Sequence, residues 1–357
     1  MYNSSFQGFR RKIMTTKSDI EVSNERKQNL LQILSKIGVP SVPKSVWQIL
    51  NSLIPYLVLW ILMILAIQRG YPYWITLLLT IPAALLLVRI FIIFHDCCHG
   101  SFFSAKRANI ITGYLSGILT FTAFRVWRRA HLGHHAYFGD LDRRGTGDIW
   151  TMTIEEYSSA SRGKRIAYRF YRNPAVLLVL GPIYTFLLAQ RIAPRDASKQ
   201  ERSSVWITNA AILGIIILAW LTIGIKTYLL IQLPVMILAG MAGVWLFYVQ
   251  HQYEGVYWAR TESWDPLRAS LEGSSYYKLP KVLQWFTGNI GLHHIHHLHP
   301  RVPNYCLQQC YDEIDELQKV KPLTIWRSLK SLRLNLWDEK RQILISFRSL
   351  KKAIPAS

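Results

Sequence analysis

The chain has 357 residues, a length that would suit two soluble domains. Half of its residues are hydrophobic, 13% are Phe, Trp or Tyr and its mean hydropathy is positive, which argues against that architecture. A formal net charge of +21 is not accompanied by any nucleic-acid motif, and the basic residues flank apolar runs, so no nucleic-acid partner is expected; an anionic lipid surface or an acidic protein explains them more simply.

Residues 1–45 form a polar arm in which Leu30, Ile33, Leu34 and Ile37 recur at helical spacing. An in-plane amphipathic helix and a soluble helix packed on the domain both fit. No apolar core or small-residue cleavage site precedes Val46, so no signal peptide is expected. Four apolar runs then follow at 46–67, 72–94, 205–225 and 228–249, each of about 20 residues and long enough to cross a bilayer. Each pair is joined by a short turn, QRGY or GIKT, which gives two helical hairpins. Of 42 Lys and Arg, these turns hold only Arg69 and Lys226, so the positive-inside rule puts both termini and the central segment in the cytoplasm. The expected location is an inner, plasma or thylakoid-type membrane. Between the hairpins, 108–124 is short and moderately apolar, as in a membrane-edge helix or re-entrant segment. The stretch 175–189, AVLLVLGPIYTFLLA, carries Gly-Pro at its middle. A full crossing there would turn the second hairpin over, so it is expected to be re-entrant or in-plane. The expected division is an arm over 1–45, a membrane domain over 46–310 and a basic tail over 311–357. In that tail Leu323, Trp326, Leu329 and Leu336 stand among Lys and Arg, as in a surface-lying amphipathic helix or a helix closing the cytosolic domain.

The chain's 11 histidines are confined to four places: HDCCH, HLGHH, FYVQHQYE and LHHIHHLHP. His95 and His99 are spaced i, i+4; His131, His134 and His135 are spaced i, i+3, i+4, and His293, His296 and His297 repeat that pattern. Residues so spaced share one helical face, so each cluster can aim its imidazoles at one point. Adding His251 gives nine imidazoles from four segments, and since one metal accepts about four to six ligands, two metals are implied. His95 ends one hairpin and His251 the other, so both reach the same membrane boundary. A closed four-ligand zinc site would leave most of these histidines unused, and redox iron fits better. Asp96, Asp140, Asp148 and Glu254 are candidates to hold imidazole N–H groups. Cys97, Cys98, Cys306 and Cys310 lie beside the clusters on the reducing side, where small packing residues are the expectation and disulfides are not.

These motifs resemble the three histidine boxes of the membrane fatty-acid desaturases: HDCCH the first, HLGHH the second and HHIHH the third. GDLDRRGTGDIWTMTIEEY, YRNPAVLLVLGPIYTFLLAQR, WLFYVQHQYEGVYW, GSSYYKLP and NIGLHHIHHLHPRVPNY extend the resemblance to the acyl-lipid branch, delta-12 (omega-6) with delta-5 relatives, over roughly residues 55–310. Cys98 stands where that pattern usually has Gly, and His299 where a small polar residue is common. The resemblance implies an all-α integral membrane protein with four transmembrane helices in two hairpins under a cytosolic, histidine-rich cap. It implies two non-haem irons on the nine histidines, with dioxygen as co-substrate. His294 and His299 become further candidates for the surroundings of the metals. The implied reaction puts a cis double bond into acyl chains of membrane lipids, and Trp127, Trp150, Trp258 and Trp285 are candidate walls of an acyl tunnel as well as candidate interface anchors. No flavin fingerprint, iron–sulfur cysteine framework or haem domain is visible, so a separate electron donor such as ferredoxin is implied. The rivals are a hydroxylase, ketolase or alkane monooxygenase on the same scaffold, and a metal transporter, which would carry its ligands near mid-bilayer.

Overall fold

The computed structural model describes residues 17–145 and 147–353; the beginning of the polar arm and the last four residues of the tail lie outside the described residues. The rest of the arm forms α1 (Lys17–Ile37). Leu30 and Leu34 are buried in one cluster with Val302, Leu307 and Leu317. Ser23 donates to Asp265 at 2.6 Å, and Arg26 pairs with Glu316. Of the two readings of the arm, α1 is the helix packed on the domain.

Four helices are long and apolar enough to cross a membrane: α2 (Val42–Gln68), α3 (Tyr73–His99) and, later in the chain, Lys199–Thr222 and Ile225–His251. Together with the helical cap they make a mostly helical membrane protein. Between α3 and the second hairpin come α4 (Lys106–Leu119), α5 (Phe124–Tyr137), α6 (Ile154–Ser159) and α7 (Arg162–Tyr171), so the later spans are α8 (Lys199–Thr222) and α9 (Ile225–His251). α3 is the most buried of the four and packs between α2 and α9 through Met63, Ala83, Leu87, Ile231, Val235 and Val249. Outward-facing Ile54, Leu57, Ile61, Leu78, Trp206, Leu218 and Trp220 remain exposed, as side chains meeting lipid would be.

Both spans that carry box residues run further than hydropathy predicts. α3 continues through the whole HDCCH motif until Gly100, whose φ of 70° favours glycine, ends it. The Gly100 and Ser101 N–H groups then cap the Cys97 and Asp96 carbonyls. α9 likewise continues to His251. HDCCH and His251 are therefore the last turns of membrane rods.

α4 and α5 meet at 102°, a broken or re-entrant pair covering the 108–124 stretch. The 175–189 stretch is π-helical over Val176–Leu180 and Ile183–Leu188 and bends 67° from α7. Pro182 lacks an N–H and interrupts the ordinary ladder, and wide turns of this kind are rare outside special sites. It lies on α9 at Gly240, where an added Cβ would come 2.8 Å from the Pro182 Cβ.

The remaining cap comprises α10 (Pro266–Leu271), α11 (Lys281–Phe286), α12 (His293–Leu298), α13 (Leu307–Glu313), the short α14 (Asp315–Gln318), α15 (Ile325–Ser328) and α16 (Phe347–Ala353), and five short strands, β1 (Met152–Thr153), β2 (Tyr276–Lys278), β3 (Pro322–Thr324), β4 (Leu336–Asp338) and β5 (Ile343–Ile345). β3 pairs parallel with β2; β4 pairs parallel with β1 and antiparallel with β5. The segment expected to form a basic amphipathic tail alternates short strands with the short helices α15 and α16. Leu336 is buried in a strand, and Trp337 and Leu344 pack with Phe138 and Trp258. Trp326 and Leu329 do stay exposed. The helical spacing was misleading at Leu336, because β4 pairs with β1 far away in sequence as well as with the neighbouring β5.

Candidate metal centre

Four elements deliver the nine imidazoles. α3 brings His95 and His99, α5 brings His131, His134 and His135, α9 brings His251, and α12 brings His293, His296 and His297. α5 is held in place by α8, whose Ser198–Glu201 capping box leaves Glu201 3.2 Å from Arg129 and Ser204 Oγ 3.1 Å from the Arg125 N–H. α12 is anchored on the strand layer, where the Tyr277 N–H donates to the Gly291 carbonyl at 2.7 Å.

The rings sort into two sets. His95, His99, His131, His135 and His296 form one; His134, His251, His293 and His297 form the other. Within each set one ring nitrogen from every residue lies within 4.8 Å of the others. Adjacent i, i+1 neighbours therefore serve different sets: His134 and His135 diverge, as do His296 and His297. The converging atoms are Nε2. His99 and His131 approach to 2.9 Å, His131 and His135 to 3.2 Å, and His135 and His296 to 3.1 Å. In the other set His251 lies 3.0 Å from both His134 and His293.

Such convergence fits a cation. A neutral imidazole has one donor nitrogen and one acceptor. His131 and His135 each point Nε2 at two other Nε2 atoms, more than a single proton can serve. Extra protons are disfavoured, because burial first and neighbouring histidines second hold His131, His135, His293, His296 and His297 well below the ordinary imidazole range. His95 Nε2 and His297 Nε2 are buried without a protein partner. A metal ion in each set would receive these lone pairs.

The opposite nitrogens are held in part by carboxylates. His95 Nδ1 lies 3.0 Å from Asp96 Oδ1, while Asp96 Oδ2 accepts from the Asn304 N–H at 2.7 Å and from Asn304 Nδ2 at 2.8 Å. Asn304 Oδ1 accepts in turn from Gln48. His134 Nδ1 meets Asp148 Oδ1 at 2.5 Å, and His251 Nδ1 faces the Gly273 carbonyl at 3.4 Å. Partners of this kind fix the tautomer and raise ligand basicity.

The other candidates lie elsewhere. Asp140 accepts from Thr261 Oγ1 at 2.9 Å and organises the loop after α5, because extended Phe138 carries the chain away from the imidazoles. Glu254 is exposed. His294 turns to the opposite face of α12, where its Nε2–H donates to the Leu317 carbonyl at 3.2 Å and burial pushes its pKa down to about 4. His299 Nε2 meets Ser35 of α1 at 3.1 Å. The four cysteines are buried and unpaired and join neither set; burial pushes the Cys310 thiol up to about 12, away from a thiolate ligand.

Of the tryptophans, Trp127 stacks on His131 at 4.3 Å. Trp258 is one ring removed, packing on Phe138, whose ring lies 4.0 Å from His251. Trp150 packs on Tyr168 and Tyr171, and Trp285 on Arg89. Phe138, Phe247 and Asn304 were not singled out in the sequence. Phe247 precedes His251 by one helical turn, a spacing that could have revealed it. A cavity of about 210 Å³ reaches His135 and His297 past Lys27, Phe138 and Trp264.

Residues 44–328 match the family model described as fatty acid desaturase. A fatty acid desaturase of Bacillus subtilis is 46% identical over 336 residues, covering 94% of each chain. An omega-6 fatty acid desaturase, chloroplastic, of Spinacia oleracea is 24% identical over 74% of this chain and 59% of its own length. An sn-1 acyl-lipid omega-3 desaturase (ferredoxin) of Synechocystis is 26% identical over 63% of each.

Proposed function

The chain belongs to the fatty acid desaturase family, and from that premise we propose that it is a di-iron, dioxygen-dependent enzyme placing a cis double bond in acyl chains of membrane lipids, at the delta-12 (omega-6) position. The observation that carries the di-iron reading is the division of nine buried imidazoles into two convergent sets. His95, His99, His131, His135 and His296 hold one iron; His134, His251, His293 and His297 hold the other. Two irons there would supply the redox chemistry, with dioxygen as co-substrate, that removes two hydrogens from adjacent methylenes. The chain's own part is positional. Asp96 and Asp148 orient His95 and His134, and Trp127, Phe138 and Phe247 lay apolar rings against the imidazoles and keep water away. The delta-12 assignment rests on the acyl-lipid motifs around the second and third boxes. Electrons come from a separate donor of the ferredoxin kind, drawn to a chain of net charge +21.

Expression in a host with mono-unsaturated lipids and a suitable donor should yield new di-unsaturated esters in a fatty-acid profile, absent with His296→Ala. Hydroxylated or ketonic products would favour an oxygenase instead, and no new lipid across several donors and chain lengths would sink the desaturase proposal.

The termini, the cap and the imidazoles lie on the cytoplasmic side in this proposal, and the turns at Arg69 and Lys226 outside. The four native cysteines are buried, so background labelling is low. Single cysteines at Gly70 and Thr227 should react with an impermeant reagent in intact cells, and one at Ser161 should not. Labelling of Ser161 from outside would invert the topology.

A further inference from the structure

Arg89 belongs to α3, six residues before His95, which places it about 9 Å along the helix at ~1.5 Å per residue on the membrane side of the first imidazole set. It is only 7% exposed. Its Nε donates to Ser52 Oγ at 3.0 Å, and its terminal nitrogens donate to the Trp285 carbonyl and, at 3.5 Å, to Asn51 Oδ1. The guanidinium carbon sits 4.0 Å from the centre of the Trp285 ring. Among the described residues none of these partners is a carboxylate. A buried charge in a membrane-crossing helix with only neutral partners is costly, and marks a place where an opposite charge is bound.

Arg89 also lines a cavity of about 620 Å³, together with Lys278, Lys281, Trp285, Asn304 and Tyr305. Lys278 and Lys281 are exposed. The acidic residue on the wall, Asp312, already accepts from Gln308 Nε2 at 2.8 Å. Beside the lysines, α11 turns Val282 and Trp285 outward, 67% and 40% exposed. Ammonium groups above an outward apolar edge are what a helix at the lipid headgroup level presents. At the inner end Asn304 is the residue that grips Asp96, and through it His95. The cavity wall therefore includes both Arg89 of the spanning helix and the residue that holds Asp96 beside His95.

We propose that this cavity holds the phosphate of a membrane phospholipid, with Arg89, Lys278 and Lys281 supplying the positive charge and the lipid's acyl chain directed toward the imidazole sets. The phosphate would receive charge-assisted hydrogen bonds from a guanidinium already fixed by Ser52 and Trp285. A water-soluble phosphate carrier is disfavoured because Trp285, 40% exposed, lines the cavity and Arg89 lies on a spanning helix. This deepens the acyl-lipid proposal above and rests on it for the identity of the acyl carrier.

The test uses the full-length protein in an uncharged maltoside detergent and reads binding as a rise in melting temperature. Dioleoyl phosphatidylglycerol should raise it saturably. The half-saturating concentration should increase at least about tenfold in Arg89→Gln and several-fold in Lys278→Gln/Lys281→Gln. Diacylglycerol, which lacks the phosphate, and inorganic phosphate should have no comparable effect. Half-saturation unchanged in both variants overturns the site, and so does a rise as large with inorganic phosphate or a soluble acyl thioester. Should Arg89→Gln not fold, the exposed lysine pair decides alone. Turnover is not needed for this reading. Binding as expected without desaturation would count against the acyl-lipid proposal and leave the site standing; desaturation with binding indifferent to these residues would count against the site alone.

Discussion

Alanine at any one of the nine imidazole positions is expected to abolish desaturation and to lower the metal content of the purified protein. The sets share no residue, so each change strips one metal position while the other keeps its full donor set. His251 is the most instructive position, because its Nε2 lies 3.0 Å from both His134 and His293 and it links α5 to α12 in the second set. Losing it removes one of only four ligands. The loss of rate should exceed the roughly 100-fold that removal of an outer hydrogen-bond partner reaches. Iron should be counted by elemental analysis on protein loaded anaerobically with ferrous iron, because imidazole sites take up zinc readily. His294→Ala and His299→Ala serve as comparisons, since both rings point elsewhere and should leave the metal count unchanged. Wild-type iron content and rate in His251→Ala would remove it from the centre and leave the second set with three donors.

Asp96→Asn should lower metal affinity or activity by about 10- to 100-fold while the fold persists. The amide keeps the shape of the carboxylate, but it supplies one carbonyl oxygen where two carboxylate oxygens now serve His95 and Asn304. Asp148→Asn should behave alike through His134. Asp140→Asn should leave metal affinity within about twofold, because its partners are Thr261, the loop backbone and Arg143 at 3.6 Å, none of them an imidazole. Titration of metal-free protein with ferrous iron, alongside circular dichroism to check folding, separates the three. Equal affinities for Asp96→Asn and Asp140→Asn would show that the Asp96 contact does not tune the ligand.

The parts of this protein that repeat locally were readable from the sequence. Histidines three and four apart must share a helical face, and apolar runs of membrane length must form helices, so the rods and the box faces were set by period alone. Which histidine joins which set was not readable: His134 and His135 are neighbours in sequence on one helix, and their rings go to different sets. The four candidate carboxylates looked alike for the same reason. Asp96 reaches a ring from α3 and Asp148 from a loop, whereas Asp140 sits past Phe138 and Glu254 faces solvent, and for the three loop carboxylates the outcome depends on loop geometry that no residue pattern encodes. The π-helical stretch carried a signal in its Gly-Pro pair. The strands of the C-terminal segment carried little, because β1 and β4 are two- and three-residue strands that pair across most of the cap's sequence.

The continuation of α3 and α9 into the imidazole sets makes the bilayer part of the catalyst's scaffold. His95, His99 and His251 ride on rods whose tilt answers to hydrocarbon thickness, while α12 is seated on the strand layer of the cap. Mismatch costs only fractions of a kcal/mol per Å, yet a change of tilt would move these imidazoles relative to those of α12. In the proposed enzyme, acyl-chain order in the surrounding lipid, the property that a double bond loosens, would thereby bear on the spacing of the two imidazole sets.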